Sequence, residues 1–139
     1  MQAYATAETA RLLDRLEQDF RRASGQSDPG AVHDVRVAIR RFTQALRVFA
    51  PLLPAKPVKK IRKRLGRALD AAAAVRDLDI ALELLAEARL GQSHSLWEET
   101  RARRYAAELA FRAELDRVSV VGRLAGWRTK LRLAPEAAP

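Results

Sequence analysis

The sequence predicts an all-α fold, an antiparallel helical bundle of about five to six helices. Three observations carry this. Apolar residues recur at steps of three and four wherever a period can be judged, the spacing that puts them on one side of a helix. The 48% of hydrophobic residues includes only 6% aromatics and is chiefly Ala, Leu and Val, a balance that favours helices. The intervening segments are short, which forces antiparallel neighbours, and no period-two run of useful length exists. A chain of 139 residues fits one domain, residues 1–139, with an adequate core.

The first helix carries Leu12 or Leu13, Leu16, Phe20 and Ala23 on one stripe, and Ser24-Gly25 supplies a residue able to end it in the left-handed conformation. Asp28-Pro29-Gly30 opens the second helix: the carboxylate accepts from free N–H groups of the first turn, and Pro29 sits where its missing donor costs nothing. Val32, Val35, Ile39, Phe42, Leu46 and Phe49 then form an unbroken seam, ended by Pro51 and Pro54. Pro57 opens a third helix with Val58, Ile61, Leu65, Ala68 or Leu69 and Ala72 inward. Asp77 is placed to cap a fourth helix bearing Leu78, Ile80, Leu82, Leu84 and Leu85 and ending near Gly91, unless the third helix runs on through Arg76. Ser95-Leu96-Trp97-Glu98 fits a capping box for a helix over about 96–117, and Ser119 can cap a last one carrying Val121, Leu124, Trp127 and Leu131.

Composition excludes several functions. Without cysteine there is no disulfide framework and no thiolate metal site. The N-terminus lacks the basic and apolar regions of a signal peptide, and no segment approaches the roughly 20 apolar residues of a membrane span, so the expected location is cytoplasmic. His33 and His94 are the only histidines, and neither a phosphate loop nor an H-E-x-x-H or Glu-x-x-His pattern occurs. The chain is therefore expected to be no enzyme, with no metal, no cofactor and no catalytic residue.

The net charge of +9 is concentrated in one stretch: from His33 to Arg76 stand twelve Lys and Arg against two carboxylates, Asp34 and Asp70. A general drift toward arginine would spread the excess, so this third of the chain is a candidate polyanion surface. On the second helix His33, Arg36, Arg40 and Arg47 fall on one stripe, interrupted by Thr43 and Gln44 and flanked by Arg41. The third helix repeats the pattern with Lys56, Lys59, Lys60, Lys63, Arg64 and Arg67, of which Lys56, Lys60, Lys63 and Arg67 fit one stripe. If the two helices pair through their apolar seams, both stripes border one groove. Guanidinium forks bind phosphate oxygens through paired hydrogen bonds and Lys acts as a mobile point charge, which suits a chain of phosphates. The same surface also suits nonspecific binding to DNA or RNA backbones. Base readout lacks material, because the stretch offers only Gln44 and two Phe on the apolar seam.

Residues 32–49, VHDVRVAIRRFTQALRVF, resemble the signature of the CHAD domain, the conserved histidine α-helical domain. Residues 73–85, AAVRDLDIALELL, resemble the second run of that family, Arg-Asp-x-Asp followed by apolar residues. The stretch from Trp97 to Trp127 is similar to the helical pair that closes the family's first bundle, so the likeness extends from about residue 8 to 132. The resemblance implies a non-catalytic binder of inorganic polyphosphate. It places His33, Arg36, Arg40, Arg41 and Arg47 in the anion site, joined less firmly by Lys56, Lys60, Lys63 and Arg67, and gives Asp77 and Asp79 structural roles. It also suggests polyphosphate granules as a place of action. Thr43 stands where the family usually has a basic residue and Ala73 where it often has Gly. The family is usually about twice as long, two bundles around a basic cavity. A unit of half that length suggests a homodimer, with Val121, Trp127 and Leu131 as candidate contacts; the alternatives are a monomer with an open groove, or a fragment.

Overall fold

The computed structural model describes residues 1–91, 94–119 and 123–133. They form five helices and, among the described residues, no strand: α1 (Gln2–Gly25), α2 (Pro29–Val48), α3 (Ala55–Glu87), α4 (Ser95–Ser119) and α5 (Arg123–Lys130), with a 3-10 turn at Ala50–Leu52.

The central element is α2. Asp28 accepts a hydrogen bond from the Ala31 N–H at 2.8 Å, and Pro29 fills the first helical position, as the sequence predicts. Val32, Val35, Ile39, Phe42 and Leu46 are all at most 1% exposed and pack between α1, which contributes Leu13, Leu16 and Phe20, and α3, which contributes Val58, Ile61, Leu65, Ala68, Ala72 and Val75. Phe42 also stacks on Trp127 of α5, with ring centroids 6.3 Å apart and planes 4° from parallel. Trp127 and Leu131 thus belong to the core of their own chain, 4% and 0% exposed, and are not available as dimer contacts. Val121 lies outside the described residues.

The third and fourth helices of the sequence reading are one. α3 runs 33 residues through Arg76, so Asp77 caps nothing. The stretch from Ala71 to Leu85 contains only residues compatible with a helix interior, with neither Gly nor Pro to interrupt it. Burial divides what the backbone does not. The buried positions of α3 stop at Val75, and beyond it α3 pairs with the first half of α4, leaving Ile80 and Leu84 39% and 59% exposed. α4 enters the core only through Phe111, Leu115 and Val118.

Several helix ends differ from the local signals. At the start of α4, Ser95 is already helical; His94 takes the cap position, its carbonyl accepting from the Glu98 N–H at 3.2 Å and its Nδ1 from the Leu96 N–H at 3.1 Å. Ser119 ends α4, its hydroxyl donating to the Leu115 carbonyl, and does not cap α5. Gly25 stays helical and α1 closes through an extended Gln26. The left-handed position falls instead to arginines. Arg89, φ 61°, follows α3, with the Arg89 N–H bonded to the Ala86 carbonyl and the Leu90 N–H to the Leu85 carbonyl. Arg132, φ 55°, follows α5 with the same pair of bonds, to Thr129 and, from Leu133, to Arg128. After Arg132, Leu133 is buried in the core, and at both sites the backbone bonds close the helix end. Because Arg89 is exposed and adopts a conformation that costs an L-residue about 1 kcal/mol, Arg89→Gly is expected to raise unfolding stability by about 0.5–1 kcal/mol in urea denaturation.

Candidate anion-binding trough

Pairing α2 with α3 through their apolar seams leaves a trough along the line where the helices meet. Its deeper part is a depression of about 760 Å³ lined by Thr43 and Arg47 of α2 and by Lys59, Arg62, Lys63 and Gly66 of α3, with Ile39, Val58 and Leu69 as its floor. Among the described residues no carboxylate lines it. Gly66 keeps this wall low, since open space surrounds the position a Cβ would take.

One helical stretch away, Arg36 lies half-buried on the same side of α2. Desolvation, then the charges of Arg40 and Arg76, pull its pKa below the ordinary guanidinium value, and Asp77 partly offsets them. Its Nε is buried without a hydrogen-bond partner. A buried cation beside two others, with a donor unused, is an arrangement that an anion stabilises. His33 stands at the far end, exposed, in a small depression with Arg76, Asp79 and Glu83. Asp28 already takes the Ala31 N–H there, so the start of α2 presents a carboxylate as well as its backbone donors.

The distribution of ion pairs decides how these charges are to be read. Nine ion pairs occur among the described residues, and they engage arginines of α1, α4 and α5: Arg11, Arg15, Arg21, Arg22, Arg104, Arg112, Arg117 and Arg128. None of the twelve Lys and Arg between His33 and Arg76 takes part in one. Of the two carboxylates in that stretch, Asp34 is turned to Arg22 of α1 and Asp70 makes no ion pair. Where this protein needs internal counter-charges it has them. Arg104, for instance, donates to Asp79 at 2.9 Å, to Glu108 at 2.8 Å and to the Ser27 carbonyl at 2.7 Å, tying α4 to α3 and to the turn before α2.

A family model for the CHAD domain matches residues 3–139. The chain belongs to the CHAD domain family. Comparison with curated proteins gave no match, and neither did comparison with solved structures.

The residues singled out in the CHAD signature do not all share one surface. Arg47 lines the trough, Arg36 and Arg40 share its side of α2 by helical spacing and lie close enough for their charges to interact, and His33 stands beyond them in a separate depression with Arg76, Asp79 and Glu83. Arg41 lies 100° further round the helix and lines a different depression, between α1 and α2, among Asp14, Asp19 and Asp34. Lys63 borders the trough, whereas Lys60 and Arg67 face away from it, toward α5, and Lys56 stands exposed in the first turn of α3. Lys59, Arg62 and Arg76 were not on the predicted stripe yet line the trough or its end. The signal that finds them is the apolar seam itself: α3 residues on the α2 side of Ile61, Leu65 and Ala68 are 59, 62, 66 and 76, and the predicted stripe was drawn from charge spacing without that constraint.

The contrast between paired and unpaired cations is measurable. Arg104→Ala, which strands Asp79 and leaves Glu108 only Arg112, is expected to cost about 3 kcal/mol of stability. Arg62→Ala, exposed and unpaired, is expected to change it by less than about 0.5 kcal/mol. Equilibrium urea unfolding of both variants checks the pair.

Proposed function

We propose that this CHAD domain binds inorganic polyphosphate along the α2/α3 trough, without catalysis. The observation that carries the reading is a set of cations that make no ion pair among the described residues, around a depression that no described carboxylate lines. An anion with a charge on every repeating unit matches a row of cations in a way that a single phosphate does not. Arg36, Arg40, Arg47 and Arg62 supply two-pronged hydrogen bonds to phosphate oxygens, and Lys59 and Lys63 supply attraction with no fixed register. Arg76 and His33 extend the row toward the start of α2. Arg41 is left out of the site by its carboxylate neighbours. The likeness of residues 32–49 to the family's His-bearing helix supports the same ligand.

The competing ligand class is nucleic acid. The lining of the trough contains no aromatic side chain, so bases find no stacking platform, and what remains for nucleic acid is its phosphate backbone. The deciding experiment is competition at one fixed salt concentration between long-chain polyphosphate and single- and double-stranded nucleic acids, since affinity for any polyanion falls steeply with salt. Polyphosphate is expected to displace both nucleic acids; the reverse order overturns the assignment.

Gly66→Glu places a carboxylate in open space on the trough wall, next to Arg62 and Lys63. Replacing a helical Gly also removes a propensity cost of up to about 1 kcal/mol, so the fold is retained. Affinity for long-chain polyphosphate is expected to fall at least tenfold with an unchanged helical circular dichroism spectrum, while Gly66→Ala binds as the native chain does.

A further inference from the structure

The cations of α3 that turn away from the trough form a second surface. Lys60, Lys63, Arg64 and Arg67 of α3 and Lys130 of α5 line a depression of about 510 Å³, with Ile61 and Trp127 as its apolar floor. As in the trough, no carboxylate among the described residues lines it. Three other depressions are different in kind: one between α1 and α2 contains Asp14, Asp19 and Asp34, one between α1 and α4 contains Glu17 and Asp116, and one at His33 contains Asp79 and Glu83. Five cations here make no ion pair, although Arg128, on the same short helix as Lys130, is paired with Asp14.

Lys63 borders both carboxylate-free depressions. They lie on opposite flanks of α3, and the cations between them are consecutive around the helix: Lys59 and Arg62 on the α2 side, Lys63 at the crest, Lys60, Arg64 and Arg67 on the α5 side. We infer that a long polyphosphate chain crosses over α3 at Lys63 and continues into the α3/α5 depression, so that the domain has two anion subsites joined by one lysine. This rests on the polyphosphate reading of the trough and adds to it a dependence on chain length. A ligand confined to the trough gains nothing from the second depression. One long enough to pass over a helix about 10–12 Å across engages both. The second engagement is then intramolecular, so its contribution multiplies the affinity of the first. Lysine suits the crest, because a flexible stem with a compact charge can follow the chain from either side.

The test uses the full chain and the double variant Arg64→Glu/Arg67→Glu, both positions lying outside the trough, with two probes: long-chain polyphosphate and tripolyphosphate, which is too short to occupy both depressions. Affinities are measured by competition at several salt concentrations. The double variant is expected to bind long-chain polyphosphate at least tenfold more weakly and with a shallower salt dependence, because fewer counterions are released, while its tripolyphosphate affinity stays within twofold. Unchanged long-chain affinity and salt slope in a variant that remains helical overturns the second subsite and leaves the trough assignment standing. Equal weakening toward both probes also overturns it, since the substitutions then act through the general field. If the native chain binds neither probe, it is the polyphosphate reading itself that fails.

Discussion

The structure depends on an apolar contact that holds like charges together. α2 and α3 bury Val32, Val35, Ile39, Phe42 and Leu46 against Val58, Ile61, Leu65, Ala68, Ala72 and Val75, and in doing so bring their cationic flanks side by side around a depression that no described carboxylate lines. The magnitudes allow it. Burying one large apolar side chain contributes about 1.5–3 kcal/mol, whereas each like-charge pair on a solvated helix surface costs a few tenths of a kcal/mol. Five buried residues on α2 alone outweigh many such repulsions, so the fold tolerates an electrostatic arrangement that the charges by themselves oppose.

The ion pairs show the same division from the other side. Carboxylates of α1, α2 and α3 are used where helices must be fixed to one another, as in Arg128 with Asp14, Arg22 with Asp34 and the Arg104 network that anchors the α3–α4 pair at Asp79. Arg36 shows what the absence of such a partner does. Its guanidinium is partly desolvated beside Arg40 and Arg76, with Nε unbonded, a cost that a bound anion would remove. The arginines that tie helices together are thus distinct from those proposed to hold the ligand, and the same side-chain chemistry suits either role according to what faces it.

Much of this was legible in the sequence because it depends on periodicity. The seam from Val32 to Leu46, the Asp28-Pro29 start of α2 and the concentration of charge between His33 and Arg76 need no knowledge of neighbours. What was not legible depends on them. Charge spacing groups Lys56, Lys60, Lys63 and Arg67 on one stripe of α3, but which flank of that helix meets α2 is set by its buried residues, and these turn Lys59 and Arg62 into the trough. Arg41 has the spacing of a site residue and the surroundings of a structural one. Helix ends escape local signals for a related reason: Asp77 lies inside α3, which continues past it, Ser119 is the last residue of α4, and Arg89 and Arg132 adopt a conformation their type disfavours where the Leu90 and Leu133 N–H groups bond back to the Leu85 and Arg128 carbonyls.

The central claim, that apolar packing holds an unneutralised cationic face, makes stability respond to simple salt. Sodium chloride shortens the range of surface repulsion from about 30 Å at 0.01 M to about 3 Å at 1 M. The measurement is the urea unfolding midpoint of the ligand-free chain across that range, beside a variant with Arg62 and Lys63 replaced by Gln. The midpoint of the native chain is predicted to rise with salt, and to rise less in the variant. A midpoint that falls with salt, or an equal rise in both chains, would show that these cations are already compensated within the fold.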